Sequence, residues 1–482
     1  MRKGKFSQPR NSAEYIRSGQ TPPHRKPQRK SRHRGWFFVV LLILSVVALA
    51  AVIAVRYDAS FPFGGADTPP TETSIPTEAP TEAPTEPPNP IVSTASIAAT
   101  GDVLMHMPVI NACYDSGSGS YDFNGIFQYL SAYASQVDYA VANLETTLAG
   151  TANGRTYSGY PCFNAPDTVA EALVSAGFDM LLTSNNHCYD TRTDGLTRTL
   201  QVSHDLGLDT LGTQADAEDV DYHIEIINGI RVGMMCYSYA TSDKYPDRPS
   251  MNGILVGTEA TEMVNYFDYD RLDLFYDQVA TAIAEMESAG AKATVMYIHW
   301  GNEYQLSANS YQTSIAQSLC DLGIDIIVGG HPHVVQPMEL LTSTTDDSHK
   351  TVCLYSMGNA ISNQRRNLMN LQTGHTEDGV LLSFSFTEYL DGEVLLSSVD
   401  ILPTWVYLNS ATSPKRYCIL PLDSELDDWA AAFDISETVA ASAMESYERT
   451  MALVGDGLTE IQTYLSDRNE SKLAQITGGD IS

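Results

Sequence analysis

Ile324-Asp325-Ile326-Ile327-Val328-Gly329-Gly330-His331-Pro332-His333 is the stretch on which the reading of this chain turns. A short, mostly β-branched run that stops at a pair of glycines reads as a buried strand rather than a helix. Two histidines flanking a single proline then stand where the strand gives way to a loop. In an α/β sheet the C-terminal ends of the strands share one edge, and ligands bind along it.

Working upstream, the same arrangement recurs four times. The runs Ser96–Ala99, Tyr139–Ala142, Met180–Leu182 and Val295–Ile298 each lead into a polar block. Those blocks are Gly101-Asp102 with His106 following, Asn143-Leu144-Glu145, Ser184-Asn185-Asn186-His187, and His299-Trp300-Gly301-Asn302-Glu303. Helical patterns over Asp167–Ala176, Asp194–Leu206, Tyr269–Ala289 and Tyr311–Leu322 separate the runs. Strands alternating with helices predict an α/β fold with a largely parallel or mixed sheet covered on both faces. Further along, His223–Tyr239, Thr351–Ser356, Val380–Tyr389 and Glu393–Leu402 are expected as antiparallel strands, the last two joined at the hairpin signal Asp391-Gly392. After about Asp423 the sequence turns acidic and helical through Glu437–Leu453 and Leu458–Leu465, a helical appendage over residues 422–482.

The other end of the chain has a different character. Residues 1–35 hold 11 of the 28 lysines and arginines and one acid, Glu14. Trp36 to Val55 follows, with Ser45 its only polar side chain beyond the indole of Trp36, and then Arg56. Twenty residues at about 1.5 Å each span roughly the 30 Å of a bilayer core. The run shows neither a polar face nor a small-x-small cleavage site, so the expectation is one transmembrane helix with its basic flank cytoplasmic. Everything after it then lies outside the cell membrane. Residues 57–92 include Thr-Glu-Ala-Pro twice, at 77–80 and 81–84, in a Pro/Thr/Glu-rich stretch with almost nothing to bury, which reads as a disordered linker.

Residues 57–482 carry 16 basic and 58 acidic side chains, a formal charge of −42. Such a surface repels nucleic acid and other polyanions. The seven cysteines are scattered without any CxxC spacing, so they form neither a disulfide framework nor a structural zinc signature. They read as small buried hydrophobes, with a bridge between two of them left open. Five of the nine histidines beyond residue 56 fall in the strand-end blocks. Together with Asp, Glu and Asn they form a mixed oxygen and nitrogen donor set, which suits Zn²⁺, Mn²⁺ or Fe better than an all-oxygen Ca²⁺ or Mg²⁺ cage.

The ordered series Gly-Asp, Asn-Leu-Glu, Asn-Asn-His, His-Trp-Gly-x-Glu-Tyr, Gly-His-Pro-His and Ser-Met-Gly-Asn (356–359) resembles the CapA family of capsule and poly-γ-glutamate synthesis proteins, over about residues 93–405 of a domain spanning 93–421. That family is similar in turn to the calcineurin-like metallophosphoesterases. The resemblance implies a four-layered αββα sandwich and a centre of two divalent metal ions. It makes Asp102 the first-strand metal ligand and puts Glu145 where the phosphoesterases carry a bridging aspartate. It makes Asn186, His299, His331 and His333 further ligands, and His187 a catalytic acid or transition-state stabiliser. His106, Asn143 and Glu303 are candidates for the metal or for the groups around it. Two departures stand out: His106 follows Asp102 by four residues rather than two, and Glu145 is one methylene longer than aspartate. Arg365 and Arg366 are either anion-binding or solvated surface residues. The implied work is synthesis, export or attachment of an envelope polymer, through a metal-dependent hydrolase or transferase site. The rival from another class is a non-catalytic, tethered assembly or binding partner of a membrane-bound polymer synthase.

Overall fold

Strands buried on both faces need uninterrupted apolar runs, and the two sheets of this protein are built from such runs. The computed structural model describes residues 89–478, apart from 217–218, 242–247, 414–415 and 427. The expected basic tail, the apolar run 36–55 and nearly all of the linker lie outside the described residues. Among the described residues no helix is long and apolar enough to cross a membrane.

The first sheet has eight strands. β1 (Ile91–Val103), β2 (Tyr139–Asn143), β3 (Met180–Leu182) and β4 (Asp209–Leu211) run parallel and side by side. The second has seven strands. Its middle is β6 (Ile230–Ala240), β8 (Ala293–His299), β9 (Ile326–Gly330) and β11 (Lys350–Leu354), all parallel, with β7 (Tyr266–Asp268) parallel at one edge. β5 (Tyr222–Ile227) and β10 (Met338–Thr342) pair antiparallel to β6 and β11. The rest of the first sheet comes late in the chain. β12 (Asn359–Ile361) lies parallel to β1, while β13 (Asp378–Tyr389), β14 (Val394–Asn409) and β15 (Arg416–Pro421) continue the sheet antiparallel. The hairpin at Asp391-Gly392 joins β13 to β14 as its turn signal predicts.

Two expectations change. The segment expected as an antiparallel strand over Thr351–Ser356 is β11, antiparallel to β10 but parallel to β9, because residue alternation carries no information on strand direction. His223–Tyr239 is two strands, turned at Asn228-Gly229, both in the left-handed region.

Side chains from the two sheets meet in one core. Ile97, Val141, Met180 and Leu182 of the first sheet share it with Val232, Met234, Val295, Tyr297, Ile326 and Val328 of the second. The outer face of the first sheet packs on α1 (Thr168–Ser175) through Val169 and Leu173. Between β3 and β4 the chain forms α2 (Arg192–Asp205). The outer face of the second sheet packs on α3 (Leu272–Ser288) and α4 (Ser310–Asp321) through Phe275, Val279, Ile315 and Leu319. The entry of α4 is fixed by a reciprocal cap between Asn309 and Gln312.

The acidic C-terminal segment carries a short helix, Trp429–Phe433, and then one unbroken helix through both expected stretches, α5 (Glu437–Thr477), capped by Ser436. It is no loose appendage. Val454, Leu458, Ile461 and Leu465 belong to the inter-sheet core. All seven cysteines are free thiols.

Candidate metal centre

Strand register brings the polar blocks together. Asp102 of β1 sits opposite Asn143 of β2 and Asn359 of β12, and His299 of β8 sits opposite Gly330 of β9. The close approach depends on missing side chains. A Cβ at Gly330 would lie 3.2 Å from Asp102 Oδ1 and 3.3 Å from His299 Nδ1. His331 and His333, on either side of Pro332, have φ of 95° and 56°. Two non-glycine residues held in the left-handed region are a local strain of the kind that surrounding structure must enforce.

Asp102, Glu145, Asn186, His299, His331 and His333 are all buried here, with Asp102 and Glu145 at 0% exposure. His333 Nδ1 lies 3.0 Å from Asp102 Oδ2 and 3.9 Å from Glu145 Oε2. His299 Nε2 lies 2.9 Å from Asn186 Oδ1 and 3.4 Å from Glu145 Oε1. The His331 ring is 4.9 Å from that of His299 and 5.9 Å from that of His333. Two triads of donor atoms result, Glu145–His299–His331 and Asp102–Glu145–His333, and Glu145 belongs to both.

Neither oxygen of the Glu145 carboxylate has a hydrogen-bond partner, and neither has Nδ1 of His331. A buried carboxylate with no hydrogen bond, its nearest cationic groups being imidazole nitrogens 3.4 and 3.9 Å away, is costly on general grounds. Bound divalent cations would offset that cost, and the carboxylate-imidazole-amide donors are those that divalent transition metals take. These residues fit divalent cations.

The buried groups of the cluster shift one another's titration. Burial alone pushes the Asp102 carboxyl up, but the hydrogen bond and charge of His333 outweigh it, so the group ends below its ordinary range. Burial disfavours the charged form of His333, yet Glu145, Asp102 and Glu303 raise it to about 9. Burial and the neighbouring imidazoles of His299 and His333 hold His331 well below its ordinary value, in the neutral form that ligates metal.

The other anticipated residues fall into separate places. Asn143 donates through Nδ2 to Asp102 Oδ1 at 2.7 Å and accepts from Asn185, so it holds a ligand. His106 packs edge-on against Phe163 and accepts at Nδ1 from the Asn363 amide at 3.3 Å. Burial and the charge of His333 depress it to about 4. It joins neither triad. Glu303 is exposed at the rim, where its charge reaches Tyr239, Tyr304 and His333. Arg365 and Arg366 are not brought to the cluster. Arg365 binds the carbonyl of Val406 and pairs with Glu377 at 3.3 Å, and Arg366 pairs with Glu377 and Glu445. An acid eleven or twelve residues downstream, brought back by the fold, claims both guanidiniums.

Three residues that sequence reading passed over complete the site. Asp190 accepts from His187 Nδ1 at 2.7 Å and is itself fixed by the Phe163 amide and by Asn252 Nδ2. Asn185 donates to Asn143 Oδ1 and the Leu144 carbonyl, and accepts from the His187 amide. Asn185 stood inside a polar block already noted, and Asp190 follows His187 by three residues. Asn252 arrives from a distant hairpin, and no local pattern marks it.

The profile of the bacterial capsule synthesis protein PGA_cap family matches residues 96–364, more than half of the chain. The chain belongs to that family. Among PGA_cap relatives, the PGA biosynthesis protein CapA of Bacillus subtilis is 24% identical over 64% of this chain and 71% of its own length. The capsule biosynthesis protein CapA of Bacillus anthracis is 26% identical over 64% of this chain and 66% of its own length. Of solved structures, the NAD nucleotidase (NadN) of Haemophilus influenzae aligns with 78% of this chain and 68% of that one, at 11% identity and a TM-score of 0.37. At that TM-score the likeness decides nothing.

Proposed function

We propose that this chain is a metal-dependent hydrolase or transferase of the cell envelope, acting on a linkage in capsule, poly-γ-glutamate or a related polymer. The observation that carries the reading is the doubly shared Glu145, buried with both oxygens unpartnered between two donor triads. The two packed sheets, with helices on their outer faces, support a four-layered metallophosphoesterase-like sandwich. The capsule context comes from the names of the CapA relatives.

Asp102, Glu145, Asn186, His299, His331 and His333 would hold two divalent ions of Mn, Zn or Fe type. When bound, such a pair supplies Lewis-acid charge and a water acidic enough to attack at neutral pH. The chain's own part is positioning and proton transfer. Asp190 takes the Nδ1 proton of His187 as a hydrogen bond and leaves Nε2 as the nitrogen that exchanges a proton with the leaving atom. The Tyr239 ring lies tilted 4.8 Å from that of His331, and the Tyr304 ring tilted 6.2 Å from that of His333, so aromatic rings flank both histidines.

We place the domain outside the cell membrane, held by the apolar run 36–55 and the linker after it, with a polymer or its membrane synthase as partner. Metal analysis of the gently purified protein tests the centre. About two transition-metal ions are expected around Glu145, and changing both His331 and His333 to Ala is expected to remove more than one of them per chain. A wild-type protein already below one ion per chain sinks the proposal. Capsule assays in cells carrying the folded double variant test catalysis: unchanged polymer yield would make the chain a tethered, non-catalytic partner.

A further inference from the structure

A second set of donors lies at the opposite end of the strands from the centre. Asp209 is the first residue of β4, the edge strand of the first sheet. His223 and Glu225 are two residues apart on β5, the edge strand of the second sheet, and therefore project from the same face. One donor atom from each of the three lies within 4.8 Å of the others. His223 Nε2 is 3.0 Å from Glu225 Oε2, with the two side chains 26% and 30% exposed. Asp209 is oriented by the hydroxyl of Tyr139, 2.8 Å from Oδ2. The side chain of Tyr139 runs through the inter-sheet core, so the trio stands at the margin where the sheets meet.

The charge there is unbalanced. Asp179, whose Oδ2 accepts from the Ala140 amide, adds a third carboxylate. Burial, and behind it the charges of Asp209 and Glu225, push the Asp179 carboxyl up. Among the described residues no lysine or arginine pairs with Asp179, Asp209 or Glu225. An imidazole placed among carboxylates from two different sheets is a donor set for a borderline divalent cation. Zn²⁺ at about 2.1 Å from each donor needs donor spacings of roughly 3.4 Å, a side-chain rotation from those present.

We propose that Asp209, His223 and Glu225 form a separate divalent-cation site, selective for Zn²⁺-like ions, that ties the edge of the first sheet to the edge of the second. Its task is structural. A cation that binds the folded state alone stabilises it by mass action, and this one joins strands that no backbone ladder connects.

Two measurements test it on the full chain. In the His331→Ala/His333→Ala protein, saturating Zn²⁺ is expected to raise Tm by about 3 °C or more. Adding Asp209→Asn and Glu225→Gln is expected to abolish the rise. No rise, or a rise that survives those changes, overturns the site. Should the double-histidine background fail to fold, crystals of the wild-type protein soaked in Zn²⁺ decide through anomalous scattering. A peak within ligand distance of Asp209, His223 and Glu225 supports the site, whether or not the ions around Glu145 are seen. A map without that peak overturns it. His223→Ala should weaken Zn²⁺ binding there at least tenfold and leave the metal content around Glu145 unchanged.

Discussion

Asp190 converts His187 from a buried imidazole into a directed one. Its carboxylate accepts a hydrogen bond from Nδ1, and on the proposed function that leaves Nε2 free for proton exchange. Asp190→Asn puts an amide of the same shape there, able to donate to Nδ1 and so favour the other tautomer. Turnover is expected to fall roughly 10–100-fold with metal content unchanged. NMR of the His187 ring nitrogens should show the proton moved from Nδ1 to Nε2; an unchanged tautomer would refute the assignment. This residue scale is where sequence reading was strongest and weakest at once. Asp102, Glu145, Asn186, His299, His331 and His333 were legible because each follows an apolar run at a strand end, and topology alone gathers such positions. Asp190 and Asn252 were not, since their roles depend on how loops fold back on His187. Arg365 and Arg366 left two readings open for the same reason: their partner Glu377 is set beside them by the fold.

At the scale of elements, β9 shows why glycine precedes Gly330-His331-Pro332-His333. A Cβ on Gly329 would stand 2.0 Å from the Tyr355 carbonyl oxygen and 2.6 Å from Trp300 Nε1, atoms fixed by neighbouring backbone and a buried ring. Gly330 has less severe neighbours, but they are the ligands Asp102 and His299. The two positions therefore predict different failures. Gly329→Ala should prevent stable folding, read as loss of soluble protein or of a cooperative melt. Gly330→Ala should fold, with Tm lowered by a few degrees at most, and bind metal at least tenfold more weakly in calorimetric titration. Equal loss of fold in both variants would mean the second glycine serves packing, not the centre. The strands themselves were readable from apolar runs, and their ends lie within a few residues of expectation. The direction of β11 was not, because parallel and antiparallel neighbours ask for the same buried residues.

For the whole molecule, the decisive correction concerns the C-terminal helix. Acidic, helical sequence after residue 423 reads alone as an appendage without an assigned role, since its apolar positions have no visible partner. In the folded chain Val454, Leu458, Ile461 and Leu465 complete the core between the sheets. Arg449 and Ser446 bind the buried carboxylate of Asp378 at 2.7 and 2.6 Å, fastening α5 to the start of β13. Removing the helix exposes four buried aliphatic side chains, about 6–12 kcal/mol at the usual value per side chain, and strands the Asp378 charge. That range matches the whole stability of an ordinary domain. A chain ending at residue 436 is therefore expected to be unfolded or insoluble. The single change Ile461→Ala should cost about 2–5 kcal/mol in denaturant unfolding without altering metal content. A truncated chain that melts cooperatively and still holds its ions would return α5 to the status of an appendage, and the metal centre would then need only the two sheets that carry it.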